Sequence, residues 1–433
     1  MNPEREVGAA LRSEVHEFID KVGSADIVVG IPSYNNARTI GHVVRAVQAG
    51  LAKYFPECKG VLVNSDGGST DGTPQIVRET REKGASRLFL PHRSGGYFSI
   101  ATPYHGLPGK GSAFRAIFEI ARKLNARACA VVDSDLRSIT PEWLELLLKP
   151  VIHGEADYVA PLYLRHKYDG TITNSIVYPL TRALYGKRIR QPIGGDFGFS
   201  GTAVGLFLSE DVWETDVARY GIDIWMTTTA LANKLKMAQA YLGSKIHDPK
   251  DPSADLSDML YQVVGSTFSL MERYEGYWKS VTASSPVPLY GFMYEVGVEP
   301  VAVDAERMIK RFSDGVKSLG EVWELFLPQL LLDALSRLAR EHKGSFHLPA
   351  EMWVDIIYYY AAAWHSNVIN REHLLKSLTP LYIGRTASWV LETVESDPAG
   401  VENKIERLCM LYEEKKQFLI EQWERGTNGS TPH

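Results

Sequence analysis

Short, nearly continuous apolar runs recur along the first 165 residues and are separated by amphipathic stretches. The runs are DIVVGI (26–31), GVLVNS (60–65), SRLFLP (86–91), ACAVVDSD (128–135) and YVAPLYLR (158–165). Runs of this kind are typical of strands buried on both faces. The stretches between them, such as 111–124, carry apolar residues at helical spacing. The alternation predicts an α/β domain with a mostly parallel sheet, whose ligand binds beyond the carboxyl ends of the strands.

Both ends of the chain show a helical pattern instead. Residues 3–22 repeat apolar side chains at i, i+4 spacing, and long helical patterns occupy 302–342, 349–364, 370–395 and 400–425 after a Pro- and Ser-containing segment at 280–300. We therefore expect an N-terminal helix (1–24), an α/β domain (25–280), a C-terminal α-helical domain (281–425) and a flexible tail (426–433). The aromatic stretch 352–364 is expected to form core rather than a subunit interface. The sequence does not decide whether the protein forms a homo-oligomer.

Composition narrows the class of protein. The chain has 433 residues and a formal net charge of -5 with acidic and basic residues mixed, which argues against a nucleic-acid partner. Cys58, Cys129 and Cys409 lie far apart, so neither a disulfide framework nor a zinc site is expected. The charged N-terminus does not resemble a secretory signal, and every apolar run is shorter than the roughly 18 residues of a membrane span. A cytoplasmic protein without a transmembrane segment is the prediction.

The strongest chemical signal is Asp133-Ser134-Asp135 at the end of the fourth run. Two carboxylates at i and i+2 beyond a buried strand can hold a hard divalent cation such as Mg²⁺ or Mn²⁺. Such a cation stabilises a departing diphosphate as a Lewis acid. The alternative is an acidic loop before the helix that starts near Pro141.

Three further turns follow strands or open helices. Residues 31–36 (IPSYNN) follow the first run and 65–73 (SDGGSTDGT) the second, where the carboxylate of Asp66 could accept a hydrogen bond from a base. Residues 108–111 (PGKG) open a helix whose N-terminus, together with Lys110, favours anions. Each turn alone is more often structural than functional.

Taken in order, these motifs resemble the GT-A glycosyltransferases. More narrowly, residues 26 to about 260 are similar to the retaining mannosylglycerate synthase and glucosyl-3-phosphoglycerate synthase families, with further matches at 191–196 (QPIGGD) and 220–223 (YGID). The resemblance implies a Rossmann-like mixed sheet and a divalent metal. It also implies a nucleotide-sugar donor such as GDP-mannose or UDP-glucose, a small carboxylate acceptor such as D-glycerate, retention of anomeric configuration and a part in compatible-solute synthesis.

The resemblance also assigns roles to single residues. The metal ligands would be Asp135 and His247. The groups that take part in the chemistry would be Asp135, Asp223 and Lys110. The donor would contact Pro32, Tyr34, Asn36, Asp66, Lys110, Asp133 and Ser134. The acceptor would contact Arg165, Thr173, Gly194, Gly195, Asp196 and Asp223, where the guanidinium and the threonine hydroxyl suit a carboxylate. No residue stands out as an enzymic nucleophile, which favours front-face displacement.

This sequence departs from the two families at several positions. Thr171 stands where glucosyl-3-phosphoglycerate synthases have an arginine, which disfavours a phosphorylated acceptor, and Asp196 replaces a glutamate. The residues after His247 also differ. The alternatives are a glucosyl-3-phosphoglycerate synthase, an inverting transferase with Asp223 or Asp196 as base, a nucleotidyltransferase, or a protein that only binds a nucleotide sugar.

Overall fold

The computed structural model describes residues 11–87, 97–103, 109–215, 217, 221–246, 257–294, 297–298 and 300–427. Its strands are β1 (Ile27–Ser33), β2 (Gly60–Asp66), β3 (Tyr97–Pro103), β4 (Ala128–Val131), β5 (Tyr158–Leu164), β6 (Phe197–Ser200), β7 (Met237–Ser244) and β8 (Leu289–Tyr290). They form one sheet in the order β3-β2-β1-β4-β6-β5-β7-β8. Only β6 runs against its neighbours β4 and β5, while the other pairings are parallel. The mixed sheet confirms the predicted fold class.

Helices cover the sheet in the first of two compact units. This unit comprises the described residues of Met1–Leu164, Gln191–Asp248 and Val287–Val298. Its helices are α1 (Ser13–Val22), α2 (Ile40–Tyr54), α3 (Thr73–Arg87), α4 (Lys110–Lys123), α5 (Glu142–Ile152), α7 (Gly201–Leu208) and α8 (Ile222–Ala232). Strands β1 and β2 are buried along their whole length, as the apolar runs predict.

Helix α4 packs unusually close to β1. A Cβ atom added at Gly30 would lie 2.4 Å from Cδ1 of Ile117, so this approach requires glycine. Gly109 precedes the helix with a φ of 158°, and the helix begins at Lys110, which confirms that residues 108–111 open a helix. The close packing fixes the N-terminus of α4, and with it Lys110, relative to the sheet.

The third strand predicted at 86–91 is wrong at its first two residues. Residues 86 and 87 belong to α3, residues 88–91 lie outside the described part of the chain, and the third strand is β3. Strand β3 is an edge strand in which most described residues are half-buried. Its sequence, YFSIATP, is therefore less continuously apolar than that of a central strand.

The second unit is helical. It comprises the described residues of Arg165–Arg190, Pro249–Pro286 and Glu299–His433. Its helices are a π-helical turn (Thr173–Val177), α6 (Tyr178–Tyr185), α9 (Ser257–Arg273), α10 (Glu275–Ser280), α11 (Ala305–Trp323), α12 (Gln329–Leu338), α13 (Ala350–Ser366), α14 (Arg371–Thr393), α15 (Pro398–Glu414) and α16 (Lys416–Thr427). Ten residues of α13 are buried, so the aromatic stretch 352–364 is core as predicted.

The units are interleaved along the chain, whereas the sequence suggests a single boundary near residue 280. Residues 287–298 belong with the sheet because β8 pairs with β7. Residues 165–190 belong with the helical unit, and we call them the excursion because the chain leaves the sheet after β5 and returns at Gln191. Of the predicted N-terminal helix, 13–22 is helical and residues 1–10 lie outside the described residues, as does most of the tail. No helix in the described ranges is long and apolar enough to cross a membrane.

Candidate active site

The loops after β1 and β2 interlock through side-chain hydrogen bonds to backbone. Ser69 Oγ accepts from Asn35 N at 2.8 Å, Thr73 Oγ1 accepts from Asn36 N at 2.9 Å, and Asp71 accepts from Ala37 N at 2.9 Å. Asn35 adopts a positive φ of 54° and accepts from Thr70 N. Side-chain oxygens therefore satisfy the backbone of both turns, which holds the predicted donor edge in one shape.

Asp66 is the centre of the second loop. Its carboxylate accepts hydrogen bonds from Ser33 Oγ, Gly68 N, Ser69 N and Ser69 Oγ at 2.7–3.0 Å. These four donors match the capacity of a carboxylate. Asp66 thus shapes its own loop in this structure, and its contact with a base stays a prediction. Of the other predicted donor residues, Tyr34 is 64% exposed and Pro32 is buried within β1.

The D-x-D turn follows β4 and is tied to the first loop. Ser134 Oγ donates to Asn36 Oδ1 at 2.8 Å, and the carbonyl of Ser134 accepts from Thr39 Oγ1 at 2.7 Å. The predicted donor residues Asn36, Asp133 and Ser134 are therefore brought together. The carboxylate of Asp135 is partly exposed and has no hydrogen-bond partner among the described residues.

Two lysines and three aspartates form a cluster beside this turn. Lys110 Nζ lies 2.8 Å from Asp133 Oδ1 and 3.3 Å from Asp223 Oδ2. Lys245 Nζ lies 2.7 Å from Asp133 Oδ2 and 2.9 Å from Asp196 Oδ2. Two cations thus face three carboxylates, and Asp135 adds a fourth negative charge nearby in sequence. The excess of negative charge makes this edge of the sheet suited to a cation.

The pKa directions follow from burial and pairing within the cluster. Burial opposes charge on Lys110, but the carboxylates of Asp133 and Asp223 outweigh it and raise its pKa well above the ordinary value. Burial likewise opposes charge on Asp133, but Lys110 and Lys245 outweigh it and lower the pKa. Burial raises the pKa of Asp223 above the ordinary value, partly offset by Lys110. Lys110 is therefore positively charged at neutral pH.

Asp196 is hydrogen-bonded to the backbone of the D-x-D turn. Its side chain is fully buried, and it accepts hydrogen bonds from Asp133 N at 2.7 Å, from Tyr163 Oη and from Lys245. Burial raises its pKa, with Lys245 acting against this. The sequence predicts contact of Asp196 with the acceptor, but its oxygens are enclosed by protein. Asp196 holds the D-x-D turn in this structure, and its contact with the acceptor stays a prediction.

Gly194 and Gly195 form the turn beside this carboxylate. The carbonyl of Gly194 accepts from Lys245 Nζ at 2.8 Å. Gly195 has a φ of +93°, and a Cβ atom there would lie 2.2 Å from Asp133 Oδ2. Both the backbone angle and the close approach require glycine at this position.

Asp223 offers an unused acceptor. It lies in the first turn of α8, and its Oδ2 accepts from Lys110 Nζ. Its Oδ1 is buried and has no hydrogen-bond partner among the described residues. A buried carboxylate oxygen without a donor is costly, and a hydroxyl of a bound molecule would satisfy it.

The metal site is only partly described. His247, one of the two predicted ligands, lies outside the described residues, and within the described ranges no group of three His, Cys, Asp or Glu side chains could enclose a metal. The chain just before His247 is nevertheless fixed to the D-x-D turn, because Arg137 N donates to Ile246 O at 2.9 Å and Ile246 N donates to Ser138 Oγ at 3.0 Å. The partly exposed carboxylate of Asp135 is an oxygen ligand of the kind that a hard divalent cation prefers, and binding of a metal by Asp135 and His247 stays a prediction.

The predicted acceptor residues Arg165 and Thr173 lie in the helical unit. Arg165 follows β5 directly, and its Nη1 lies 3.5 Å from Asp169 Oδ2. Thr173 begins the π-helical turn and is 9% exposed. The hydroxyl of Thr171 is hydrogen-bonded to that of Tyr382. A role of Arg165 and Thr173 in acceptor binding stays a prediction.

The sequence interpretation missed Lys245 and Tyr163. Lys245 follows the buried strand β7 directly and is two residues before His247. A lysine at the carboxyl end of a buried strand is a usable signal, because ligands bind at that edge of the sheet. Tyr163 carries no such signal, since a tyrosine in an apolar strand predicts core.

The mixed sheet, with a D-x-D turn at the carboxyl end of β4, has the fold that the resemblance to GT-A glycosyltransferases implies. Residues 28–206 match the family model described as glycosyl transferase family 2. This segment, most of which lies within the unit that contains the sheet, is therefore similar to glycosyl transferase family 2 domains.

Solved structures of glucosyl-3-phosphoglycerate synthase from Mycobacterium tuberculosis are similar to the chain. The complex with Mn²⁺, UDP and phosphoglyceric acid is 20% identical with a TM-score of 0.41, covering 60% of this chain and 82% of that chain. The complex with Mg²⁺ and UDP is 20% identical with a TM-score of 0.42, covering 60% and 83%. A complex with Mn²⁺, UDP-glucose and phosphoglyceric acid is 19% identical with a TM-score of 0.42, covering 67% and 92%. Comparison with curated proteins gives no match.

Proposed function

We propose that the protein is a metal-dependent, retaining glycosyltransferase, and that it moves mannose or glucose from GDP-mannose or UDP-glucose to D-glycerate or a similar small hydroxy acid. The observation that carries the proposal is the cluster at the carboxyl edge of the sheet. It combines a cation, Lys110, with a buried and unpartnered oxygen of Asp223. The ammonium group of Lys110 can bind a diphosphate, and a hydroxyl of the sugar or acceptor can donate a hydrogen bond to Asp223 Oδ1.

Each residue of the cluster has a distinct part in the reaction. Lys110, at the N-terminus of α4, stabilises the negative charge that develops on the leaving diphosphate. Asp133 is held by Lys245 and accepts hydrogen bonds from hydroxyls of the donor. Asp223 accepts from the attacking hydroxyl and orients it. The proton of that hydroxyl passes to an oxygen of the leaving diphosphate, as front-face displacement implies.

Asp135 and His247 would hold the divalent cation. When bound, this cation supplies Lewis-acid stabilisation of the leaving diphosphate. Asp135 suits this role because its carboxylate is partly exposed and unpartnered among the described residues, whereas Asp133 is enclosed by two lysines.

The acceptor proposal rests on the excursion. The guanidinium of Arg165 can bind a carboxylate through two parallel hydrogen bonds, and the Thr173 hydroxyl can bind beside it. Thr171 supports an acceptor without a phosphate, because a neutral hydroxyl bonded to Tyr382 stands where a cation would be needed.

The test is release of nucleoside diphosphate from UDP- and GDP-hexoses with Mg²⁺ or Mn²⁺, with and without D-glycerate or 3-phosphoglycerate. Release stimulated by D-glycerate is expected. Stimulation by 3-phosphoglycerate alone would show that the acceptor is phosphorylated. No turnover with any donor would overturn the proposal. The anomeric configuration of the product, measured by NMR, separates retention from inversion.

A further inference from the structure

The π-helical turn of the excursion contains a carbonyl that an α-helix cannot satisfy. In an α-helix the carbonyl of Ser175 would accept from the backbone N–H of residue 179. That residue is Pro179, which has no N–H. The sequence itself therefore leaves the Ser175 carbonyl in need of another donor.

Two side chains of the helical unit supply donors to this one atom. Trp353 Nε1, from α13, donates to Ser175 O at 2.9 Å. Tyr412 Oη, from α15, donates to the same oxygen at 3.0 Å. Both side chains are fully buried, and the hydroxyl of Tyr358 donates to the carbonyl of Tyr412. The two donors are thus held in a rigid part of the helical core.

The π-helical turn is buried at Thr173, Ile176 and Val177 and borders a pocket on another side. This small open pocket is lined by Thr171, Asn174 and Ser175 together with Arg385, Trp389 and Leu408. On the side of the pocket the turn makes fewer packing contacts, so the hydrogen bonds to the Ser175 carbonyl contribute to its position. The turn starts at Thr173, only two residues from the carbonyl that Trp353 and Tyr412 hold.

We propose that Trp353 and Tyr412 are positioning residues for the acceptor: their hydrogen bonds to the Ser175 carbonyl fix the π-helical turn and so place the Thr173 hydroxyl. The inference rests on the proposed function, in which Thr173 binds the acceptor. It assigns the C-terminal helices a direct effect on acceptor affinity, without any contact between these two aromatic residues and the substrate.

The test compares Trp353→Phe and Tyr412→Phe with wild type in initial-rate kinetics. Each substitution removes one donor and keeps the ring, so the KM for D-glycerate is expected to rise roughly 3- to 10-fold. The KM for the donor sugar is expected to stay within about 2-fold. Matched controls in α13 are Trp364→Phe and Tyr360→Phe, whose polar groups bond to Glu272 and Ser377 instead. Neither control should change the KM for the acceptor.

Rescue and hydrogen exchange separate positioning from general loss of stability. Pro179→Ala restores a backbone N–H for the Ser175 carbonyl, so it should recover part of the acceptor KM in the Trp353→Phe background. Hydrogen exchange of residues 170–180 should be faster in Trp353→Phe and unchanged in Trp364→Phe.

The possible failures are distinguishable. If wild type transfers to D-glycerate but Trp353→Phe and Tyr412→Phe leave its KM unchanged, or raise both KM values equally, the inference is wrong and the proposed function stands. If no small hydroxy acid stimulates wild-type turnover, both are wrong.

Discussion

The ammonium group of Lys245 is buried against the first aspartate of the D-x-D turn, 2.7 Å from Asp133 Oδ2. The same group contacts Asp196 and the carbonyl of Gly194, so its three donors are all used. A lysine in this arrangement is part of the framework rather than a ligand-binding group. Lys110, whose side chain is 25% exposed against 4% for Lys245, is the lysine left to face a ligand.

Lys245→Met should destabilise the protein by about 3–5 kcal/mol, because it leaves the buried Asp196 without a counter-ion and Asp133 with Lys110 alone. Asp196→Asn in the same chain removes the carboxylate charge that has lost its counter-ion. The double variant is therefore expected to lose less stability than the sum of the single variants, measured by urea unfolding. Additive losses would show that the two side chains are not energetically coupled.

Lys110→Met should lower kcat about 10²- to 10³-fold, since a preorganised charge on the leaving group is removed. Lys123→Met, at the exposed other end of α4, is the matched control and should keep full activity. Steady-state kinetics with saturating donor and acceptor measure this difference. Equal activity in both variants would exclude Lys110 from the reaction.

Much of the sheet could be predicted from the sequence because its central strands are buried on both faces. β1, β2, β4 and β5 appear as apolar runs, and the polar groups that follow them mark the site. β3 could not be found in this way, since an edge strand lacks the continuous apolar pattern. The pairing of Lys245 with Asp133 spans 112 residues and depends on how β4 and β7 are placed in the sheet.

The excursion shows a second limit of sequence interpretation. Residues 174–186 carry a helical pattern, and a helix is present. The π-helical turn at its start depends on Pro179 together with donors from residues 353 and 412. Helical periodicity carries no information about hydrogen bonds between residues far apart in sequence. The π-helical turn that contains Thr173 therefore could not be predicted from the sequence.

Gly195→Ala is expected to reduce activity strongly. The added Cβ would lie 2.2 Å from Asp133 Oδ2 at a backbone angle that disfavours alanine, so the D-x-D turn must shift. Gly205→Ala is the matched control, because a Cβ there meets no atom within 4 Å and the residue lies in α7. The control should be neutral or more stable by about 0.5–1 kcal/mol in thermal unfolding. An active Gly195→Ala enzyme would contradict the geometry of this turn.

Asp135→Asn should abolish metal-dependent turnover while leaving the fold intact, because its carboxylate supports no other described residue. Binding of Mn²⁺, followed by calorimetry or electron paramagnetic resonance in the presence of nucleoside diphosphate, should weaken at least about tenfold. Asp211→Asn, at an exposed position of the same unit, should bind Mn²⁺ as wild type does. Unchanged metal affinity in Asp135→Asn would remove Asp135 from the metal site.

Arg165→Lys tests the acceptor proposal, because it keeps the positive charge and removes the two-pronged geometry. We expect the KM for D-glycerate to rise about tenfold and the KM for the donor to remain unchanged. Arg122→Lys, an exposed position at the end of α4, is the control for the substitution itself. A donor KM that rises together with the acceptor KM would place Arg165 at the donor instead. Unchanged kinetics would exclude Arg165 from acceptor binding. Its ion pair with Asp169, in which Nη1 lies 3.5 Å from Oδ2, would then be its role.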